Sequence, residues 1–184
     1  ARIDVSPREP VRLTGYSSRK APHVAVEQKL WAKALAIGSD REGPAVLLTL
    51  ENCGIAEETW REVRSRLAKS ARLRPANIVI ASSHTHSAPA TKHWAPNIFL
   101  RDLTAEEQGA IDRYTAELIQ QLERVALQAL QARLPGKLSW AQGAAGFAAS
   151  CAATSELAVS RPRAVKPVMV GSENALPGMK AEYP

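Results

Sequence analysis

Residues 78–89 read IVIASSHTHSAP, and this stretch is the strongest indication of the fold in the sequence. It begins with a short β-branched run, typical of a buried strand, and ends in a turn at Pro89. His84 and His86 follow the run, two positions apart. Because alternate side chains of an extended strand share a face, we expect both imidazoles to point the same way from the end of this strand.

A pair of imidazoles on one face is suited to two kinds of chemistry. Both can bind one metal ion, or one can bind the metal while the other transfers protons. A structural role, in which a histidine is only hydrogen-bonded at a polar strand end, stays open because this spacing is not specific. The flanking serine and threonine residues favour a functional site.

A βαβ unit surrounds the histidine pair. Residues 44–50 form a nearly continuous apolar run, as expected of a strand covered on both faces. Residues 56–72 show the apolar spacing of a helix, which ends before Pro75. Residues 77–81 are the next strand, so the pattern predicts two parallel strands joined by a right-handed crossover.

Further elements flank this unit. Residues 30–37 are predicted as another strand of the same sheet, with a helix as the alternative. Residues 88–103 form an aromatic and proline-rich loop, typical of a lid or the wall of a site. A capping box begins a long helix over residues 104–133, and residues 137–142 are predicted as a strand. The predicted fold class is α/β, with a βαβ-containing mixed sheet and flanking helices.

Other candidate site residues follow from this topology. Open α/β sheets bind ligands at the carboxyl ends of their strands, so Glu51 should emerge beside His84 and His86. Glu51 could orient a metal ligand or bind metal itself, with a capping or surface role as the alternative. His93 lies in the following loop, where a surface role competes with a role in the site. Cys53 is predicted as a small buried side chain at a strand end.

Composition sets outer limits on the function. The 184 residues, 45% hydrophobic and 23% charged, are typical of one globular domain. No apolar run approaches the roughly 20 residues that span a bilayer, and the first residues show no apolar, signal-like core. The net charge of +6 is spread along helices and aromatics are only 5%, so we expect no nucleic acid partner. Cys53 and Cys151 are too few for a disulfide scaffold.

Several short motifs lie along residues 2–148. They are IDVSP (3–7), LTGY (13–16), LWAKAL (30–35), ENCG (51–54), SHTHSAP (83–89), LSWAQG (138–143) and GFA (146–148). In these motifs, above all in SHTHSAP, the chain resembles the N-terminal part of the catalytic domain of the neutral/alkaline, non-lysosomal ceramidase family. These enzymes hydrolyse the amide bond of ceramide, a linear amide, to sphingosine and a fatty acid with one zinc ion.

The resemblance implies roles for both histidines. By resemblance His84 is a zinc ligand, and His86 is a catalytic residue that hydrogen-bonds or transfers protons near the scissile amide. The family's remaining ligands, a histidine, a glutamate and a tyrosine, belong to a region downstream of this sequence. The implied partner is a ceramide-like lipid amide, and the family resemblance points to a secreted or periplasmic location.

The sequence departs from the family pattern after Phe147 and Ala148. The family continues there with an Asn-Arg-Arg-like stretch, whereas this chain reads ASCAA and loses its periodicity. We therefore expect residues 1–148 to be the N-terminal part of a ceramidase-like catalytic domain, and residues 149–184 to be a divergent, loosely structured tail. A truncated or frame-shifted reading frame would explain the change and leave the catalytic domain incomplete.

Three functional hypotheses follow. The first is a zinc-dependent amidohydrolase of neutral ceramidase type. The second is a catalytically incomplete fragment, or a non-catalytic binding module with the same fold. A serine hydrolase of the α/β class ranks last because the sequence has no Gly-x-Ser-x-Gly elbow. The sequence does not assign the true substrate, the oligomeric state or the compartment.

Deleting residues 149–184 should leave the thermal midpoint almost unchanged. The reason is that this segment lacks periodic apolar residues that could add to a core. Thermal unfolding of the full chain and of the shortened chain tests this expectation. A loss of several kcal/mol of stability would contradict it, because only a packed element contributes that much.

Overall fold

The computed structural model describes residues 1–138. Its strands are β1 (Arg2–Asp4), β2 (Trp31–Ile37), β3 (Ala45–Leu50) and β4 (Ile78–Ser82), and its helices are α1 (Glu57–Ala71) and α2 (Ala105–Gln131), with 3₁₀ turns at Pro75–Asn77 and Pro96–Phe99. All of them lie in one unit, Ala1–Arg133. A second unit begins at Leu134, and its residues 134–138 contain neither helix nor strand. Most of the predicted strand at 137–142, and the whole predicted tail at 149–184, lie outside the described residues.

The sheet has the order β1-β2-β3-β4. β1 pairs with β2 and β2 with β3 in antiparallel fashion, whereas β3 and β4 are parallel and are joined through α1. This is the predicted βαβ unit in a mixed α/β sheet, and residues 31–37 form the predicted strand rather than a helix. β1 was not predicted, because three residues are too few to show the alternation of apolar and polar side chains that marks a strand.

The described sheet is covered by helices on one face only. Along β3 the buried residues Val46, Leu48 and Leu50 alternate with exposed ones. Leu35, Leu47 and Val79 pair across β2, β3 and β4 on the other face, and they are 53%, 38% and 53% exposed. The prediction that residues 44–50 are covered on both faces is therefore wrong for the described part of the chain. An unbroken apolar run does not reveal which of its faces is open.

The predicted capping box begins α2. The Thr104 hydroxyl accepts a hydrogen bond from the Glu107 backbone N–H, and the Glu107 carboxylate accepts one from the Thr104 backbone N–H. Leu118 and Leu122, one helical turn apart on α2, are fully buried. Tyr114 donates a hydrogen bond of 3.0 Å to the Val5 carbonyl oxygen, and burial raises the pKa of its hydroxyl. α2 thus provides the surface on which the sheet and the N-terminal segment pack. No helix within residues 1–138 is long and apolar enough to cross a membrane.

A fully buried arginine joins the N-terminal segment to α2. Nη1 of Arg12 donates to Glu107 Oε1 at 2.9 Å and to the Lys20 carbonyl oxygen at 2.6 Å, and Nη2 donates to the Arg19 carbonyl oxygen at 2.6 Å. Hydrogen bonds from Arg101, the Thr104 backbone and Arg12 lower the pKa of Glu107 to about 2, although burial opposes them. No local sequence pattern indicates this ion pair, because its partners lie far apart along the chain.

Glu107→Gln should lower the free energy of unfolding at pH 7 by about 3–5 kcal/mol, because it leaves the buried Arg12 charge without its carboxylate. Glutamine can still serve in the capping box, so the loss reports mainly the ion pair. The folded pKa lies below the ordinary value of 4.5, so the carboxylate's contribution is complete above about pH 4.5 and is lost as pH falls toward 2. Denaturant unfolding at pH 7 and pH 3 should show the difference between wild type and variant shrinking in acid.

The matched control is Glu57→Gln, which removes an exposed ion pair with Arg61 on α1. Such pairs contribute well under 1 kcal/mol, so this variant should unfold nearly like the wild type. Equal decreases in the free energy of unfolding for the two variants would show that the buried ion pair stabilises the fold no more than the exposed one does.

Candidate functional site

The two histidines lie in the loop that follows β4. The strand ends at Ser82, and His84 has a left-handed backbone with φ of 62°. The two histidines were expected to share a face because they were placed in an extended strand. That reason is wrong, since neither of them lies in β4. Their rings nevertheless meet, with centroids 5.1 Å apart and planes at 70°. A hydrogen bond of 2.9 Å from the His84 backbone N–H to the Asn52 carbonyl oxygen fixes the loop against the end of β3.

Cys53 completes a cluster with these histidines. It follows β3, the parallel neighbour of β4, so both loops emerge at the same edge of the sheet. One donor atom from each of Cys53, His84 and His86 lies within 4.8 Å of the others. Among residues 1–138 this is the group of three that could hold a metal ion. Cys53 is buried just after a strand, as predicted, but its place beside the histidines was not predicted. The signal available for it was the edge that the two parallel strands share.

Cys53 also orients the His84 ring. The Nδ1 atom of His84 lies 2.7 Å from the Cys53 carbonyl oxygen and 3.8 Å from Cys53 Sγ. A carbonyl oxygen only accepts hydrogen bonds, so Nδ1 donates to it and Nε2 keeps a free lone pair. His84 is exposed and His86 is partly buried, whereas Cys53 is buried. Burial raises the pKa of the Cys53 thiol.

Residues 14–19 form a wall against His86. The Tyr16 ring meets the His86 imidazole edge-on, with centroids 4.8 Å apart. Arg19 donates hydrogen bonds to the carbonyl oxygens of Thr14 and His86, and its guanidinium lies 4.9 Å from the Tyr16 ring centroid. Gly15 has φ of +98°, and a Cβ there would come within 2.5 Å of the His86 Cβ. The LTGY motif is therefore packed directly against the second histidine.

The loop at 88–103 forms a second wall. The Trp94 indole covers Gly54, where a Cβ would come within 2.2 Å of the ring, and its centroid lies 6.3 Å from that of His84. The Thr91 hydroxyl donates to the Gly54 carbonyl oxygen at 2.9 Å, and the buried Asn52 amide donates to the Pro89 carbonyl oxygen at 3.2 Å. These bonds hold the loop after β3 and the 88–103 loop together around the histidines.

Glu51 and His93 stand outside the cluster. The Glu51 carboxylate accepts a hydrogen bond of 3.0 Å from the Trp31 backbone N–H and pairs with Lys33 at 3.3 Å. The side chain is thus engaged by β2 and does not belong to the group of three donors, but Glu51 lines the same cavity as Thr85 and Ser87, at the sheet edge where it was expected. His93 is exposed in the 88–103 loop, in agreement with its surface alternative.

A cavity of about 460 Å³ lies next to the histidine loop. Thr85 and Ser87, the neighbours of His86 in sequence, contribute polar lining. Its apolar lining includes Leu13, Val26 and Leu30. Polar and charged residues, among them Glu27, Lys29 and Glu51, line the rest of it, so this cavity of mixed polarity suits an amphipathic small molecule.

Gly15→Ala should destabilise the fold more than Gly38→Ala does. Both glycines have φ near +100°, so both variants carry the same backbone strain. At Gly38 the nearest atom to a new Cβ is 3.4 Å away, whereas at Gly15 it is 2.5 Å away on His86. The extra overlap should cost about 1–3 kcal/mol and shift the His86 imidazole signals in NMR spectra. Equal thermal midpoints for the two variants would show that the Gly15–His86 contact is not tight.

Comparison with solved structures identifies proteins with the same fold. A crystal structure of neutral ceramidase from Pseudomonas aeruginosa matches with a TM-score of 0.60 and 25% identity, covering 77% of this chain and 22% of that one. A ceramidase complexed with C2 matches with a TM-score of 0.56 and 24% identity over the same shares. No family model and no curated protein matches the chain.

The matched region covers most of this chain but only 22% of the length of either ceramidase. The four-stranded mixed sheet and its two helices correspond to a fragment of the ceramidase domain. The comparison confirms the resemblance that the sequence motifs indicated: this chain has the fold of part of a neutral ceramidase.

Proposed function

We propose that this chain carries part of a zinc-dependent amidohydrolase site of neutral ceramidase type, acting on the N-acyl amide of ceramide or a related lipid. The observation that supports the proposal is the meeting of His84 and His86 with Cys53 at the carboxyl edge of β3 and β4. The fold around this cluster resembles that of a neutral ceramidase, which supports amide hydrolysis as the reaction. In the proposal His84 binds zinc and His86 is a catalytic residue.

The donors in the cluster fit zinc. Imidazole nitrogen and thiol sulfur are the ligands that zinc prefers, whereas calcium and magnesium require oxygen ligands, which this group lacks. The hydrogen bond from His84 Nδ1 to the Cys53 carbonyl oxygen fixes the ring orientation, as is usual for metal-binding histidines. When bound, zinc supplies a Lewis acid that polarises an amide carbonyl and activates water.

His86 is placed to transfer protons. Its ring is partly buried between Tyr16 and His84, so its orientation is restricted while part of the imidazole faces solvent. Imidazole is the side chain best suited to exchanging protons near neutral pH. In amide hydrolysis His86 would donate a proton to the leaving amine nitrogen, which must be protonated as the C–N bond breaks.

The neighbouring cavity supports a lipid amide as the substrate class. Leu13, Val26 and Leu30 offer apolar contacts for an acyl or sphingoid chain, and Thr85 and Ser87 offer hydroxyls for a polar head group. These hydroxyls alternate in sequence with the two histidines, although neither histidine lines the cavity.

A second candidate function is a metal-binding fragment or binding module without catalysis. The observation that favours it is length, since the chain spans only 22% of the neutral ceramidase it resembles. Three donors are enough to hold a metal, but an amidohydrolase also needs groups that position the substrate. The two candidates share the metal site and differ in turnover.

Zinc titration of the wild type and His84→Ala tests the metal site. We expect weak zinc binding by the wild type and a loss of binding in His84→Ala, because His84 shares contacts with both other members of the cluster. His93→Ala is the control, since His93 is an exposed histidine of the next loop outside the cluster. Equal zinc affinity in the wild type and His84→Ala would remove His84 as the metal ligand.

The same proteins should be assayed with a fluorescent ceramide. We expect no measurable turnover by the 184-residue chain alone, because residues 1–138 supply only the group of three donors, whereas catalysis also needs groups that position the substrate. Turnover by the wild type that disappears in His84→Ala would overturn this expectation of incompleteness and support the assigned ligand.

A further inference from the structure

We propose that Arg19 binds a carboxylate of the ligand at this site, beside the His86 imidazole. The inference rests on the proposed function, since it concerns the ligand of the same site, and it narrows that ligand to an anionic amphiphile. Two kinds of acyl compound carry such a group. One is an N-acyl amino acid, whose carboxylate flanks the amide, and the other is the fatty acid that amide hydrolysis releases.

The Arg19 side chain is fixed in place before any ligand binds. Its Nη1 atom donates hydrogen bonds to the carbonyl oxygen of Thr14, at 2.8 Å, and to that of His86. Its guanidinium carbon lies 4.9 Å from the Tyr16 ring centroid. The backbone is held as well, because the Arg19 carbonyl oxygen accepts a hydrogen bond of 2.6 Å from the fully buried Arg12. Arg19 therefore loses little further freedom when a ligand binds to it.

The Arg19 guanidinium retains unused hydrogen-bond donors. The two carbonyl oxygens take up the N–H bonds of Nη1, whereas Nε and Nη2 have no hydrogen-bond partner within residues 1–138. Neither atom is among the buried polar atoms that lack a partner, so both reach solvent. The N–H bonds of Nε and Nη2 point the same way and form a fork that matches the two oxygens of a carboxylate.

The electrostatic surroundings also favour an anion. The segments around the two histidines contain no aspartate or glutamate, and they are residues 14–20, 52–56 and 83–95. Their basic side chains are Arg19, Lys20 and Lys92, of which Lys92 lies 3.8 Å from Asp112 on α2. Glu51, which precedes one of these segments, is held by β2 through an ion pair. The remaining positive charge attracts an anionic ligand to this edge of the sheet.

The position of Arg19 relates the bound carboxylate to the proposed reaction. The Tyr16 ring contacts both the guanidinium and the His86 imidazole, so both groups lie beside one ring. An N-acyl amino acid carries its carboxylate one carbon away from the amide nitrogen. With that carboxylate on Arg19, the nitrogen lies toward His86, where the proposed reaction needs a proton. A neutral ceramide offers only hydroxyls and leaves the fork without a charged partner.

Binding of short acyl ligands to the metal-free, 184-residue chain tests the assignment. The probes are N-octanoylglycine, octanoate and the neutral N-octanoylethanolamine, each used below its micelle concentration. We expect the wild type to bind N-octanoylglycine roughly tenfold or more tightly than N-octanoylethanolamine, because hydrogen bonds between charged groups are the stronger ones. NMR titration gives both affinities. The Arg19 Nε–H signal should shift with the acid and stay in place with the neutral amide.

Variants of Arg19 separate charge recognition from a structural role. Arg19→Gln should reduce the preference for the acid to about twofold or less. A looser loop alone would weaken both ligands alike, so the ratio of the two affinities reports the charge. Arg19→Lys keeps the charge without the fork and should retain only part of the preference. The matched control is Arg41→Gln, in the exposed loop between β2 and β3 at the opposite edge of the sheet, which should retain all of it.

Equal binding of the acid and the neutral amide by the wild type would overturn the inference. A preference that persists in Arg19→Gln, or that is lost in Arg41→Gln, would overturn it as well. If Arg19→Gln does not fold, the wild type still decides, because an Arg19 Nε–H signal that responds equally to both ligands refutes the contact.

Octanoate identifies the source of the carboxylate. Tighter binding of N-octanoylglycine than of octanoate assigns the site to an N-acyl amino acid, and the reverse order or equal binding assigns it to a released fatty acid. Because no metal is present in this experiment, a negative result leaves the zinc-site proposal standing. Failure of the zinc titration would refute the proposed function without removing the carboxylate contact.

Discussion

The buried ion pair between Arg12 and Glu107 is the interaction on which the rest of the structure depends. It joins the N-terminal segment to the first turn of α2, where Glu107 also closes the capping box. The same guanidinium donates hydrogen bonds to the backbone carbonyl oxygens of Arg19 and Lys20. Because a buried charge without its partner is strongly destabilising, the chain reaches its folded state only when these segments are docked. The wall that contacts His86 is therefore fixed by a salt bridge outside the site.

The site itself results from one topological fact, the parallel pairing of β3 and β4. Parallel strands end at the same edge, so the loops that follow them must meet, and here one supplies Cys53 and the other supplies the histidines. The loop after β3 is tied to the histidine loop by its backbone and to the 88–103 loop by Asn52. Trp94 then packs over Gly54, where no side chain fits. The loops that carry the donors are thus held in place by hydrogen bonds and packing outside the group of three.

Local patterns were sufficient to predict the βαβ unit, strand β2 and helix α2, because each has a period or a cap that a few neighbouring residues define. The meeting of His84 and His86 was also predicted, but for a reason that fails, since the positive φ of His84 is set by hydrogen bonds to a distant loop. Cys53 and the Arg12 pair were missed because both depend on segments far apart in sequence. The open sheet face was missed because burial of β3 depends on what covers it.

The row of Leu35, Leu47 and Val79 has a consequence for handling the protein. These side chains stand in register on three neighbouring strands, each about two-fifths to one-half exposed within the described residues. A contiguous apolar strip of this kind drives self-association of molecules that display it. Apolar attraction weakens on cooling and strengthens in kosmotropic salts such as sulfate. Cold, low-sulfate buffers therefore suit any preparation in which this face stays open to solvent.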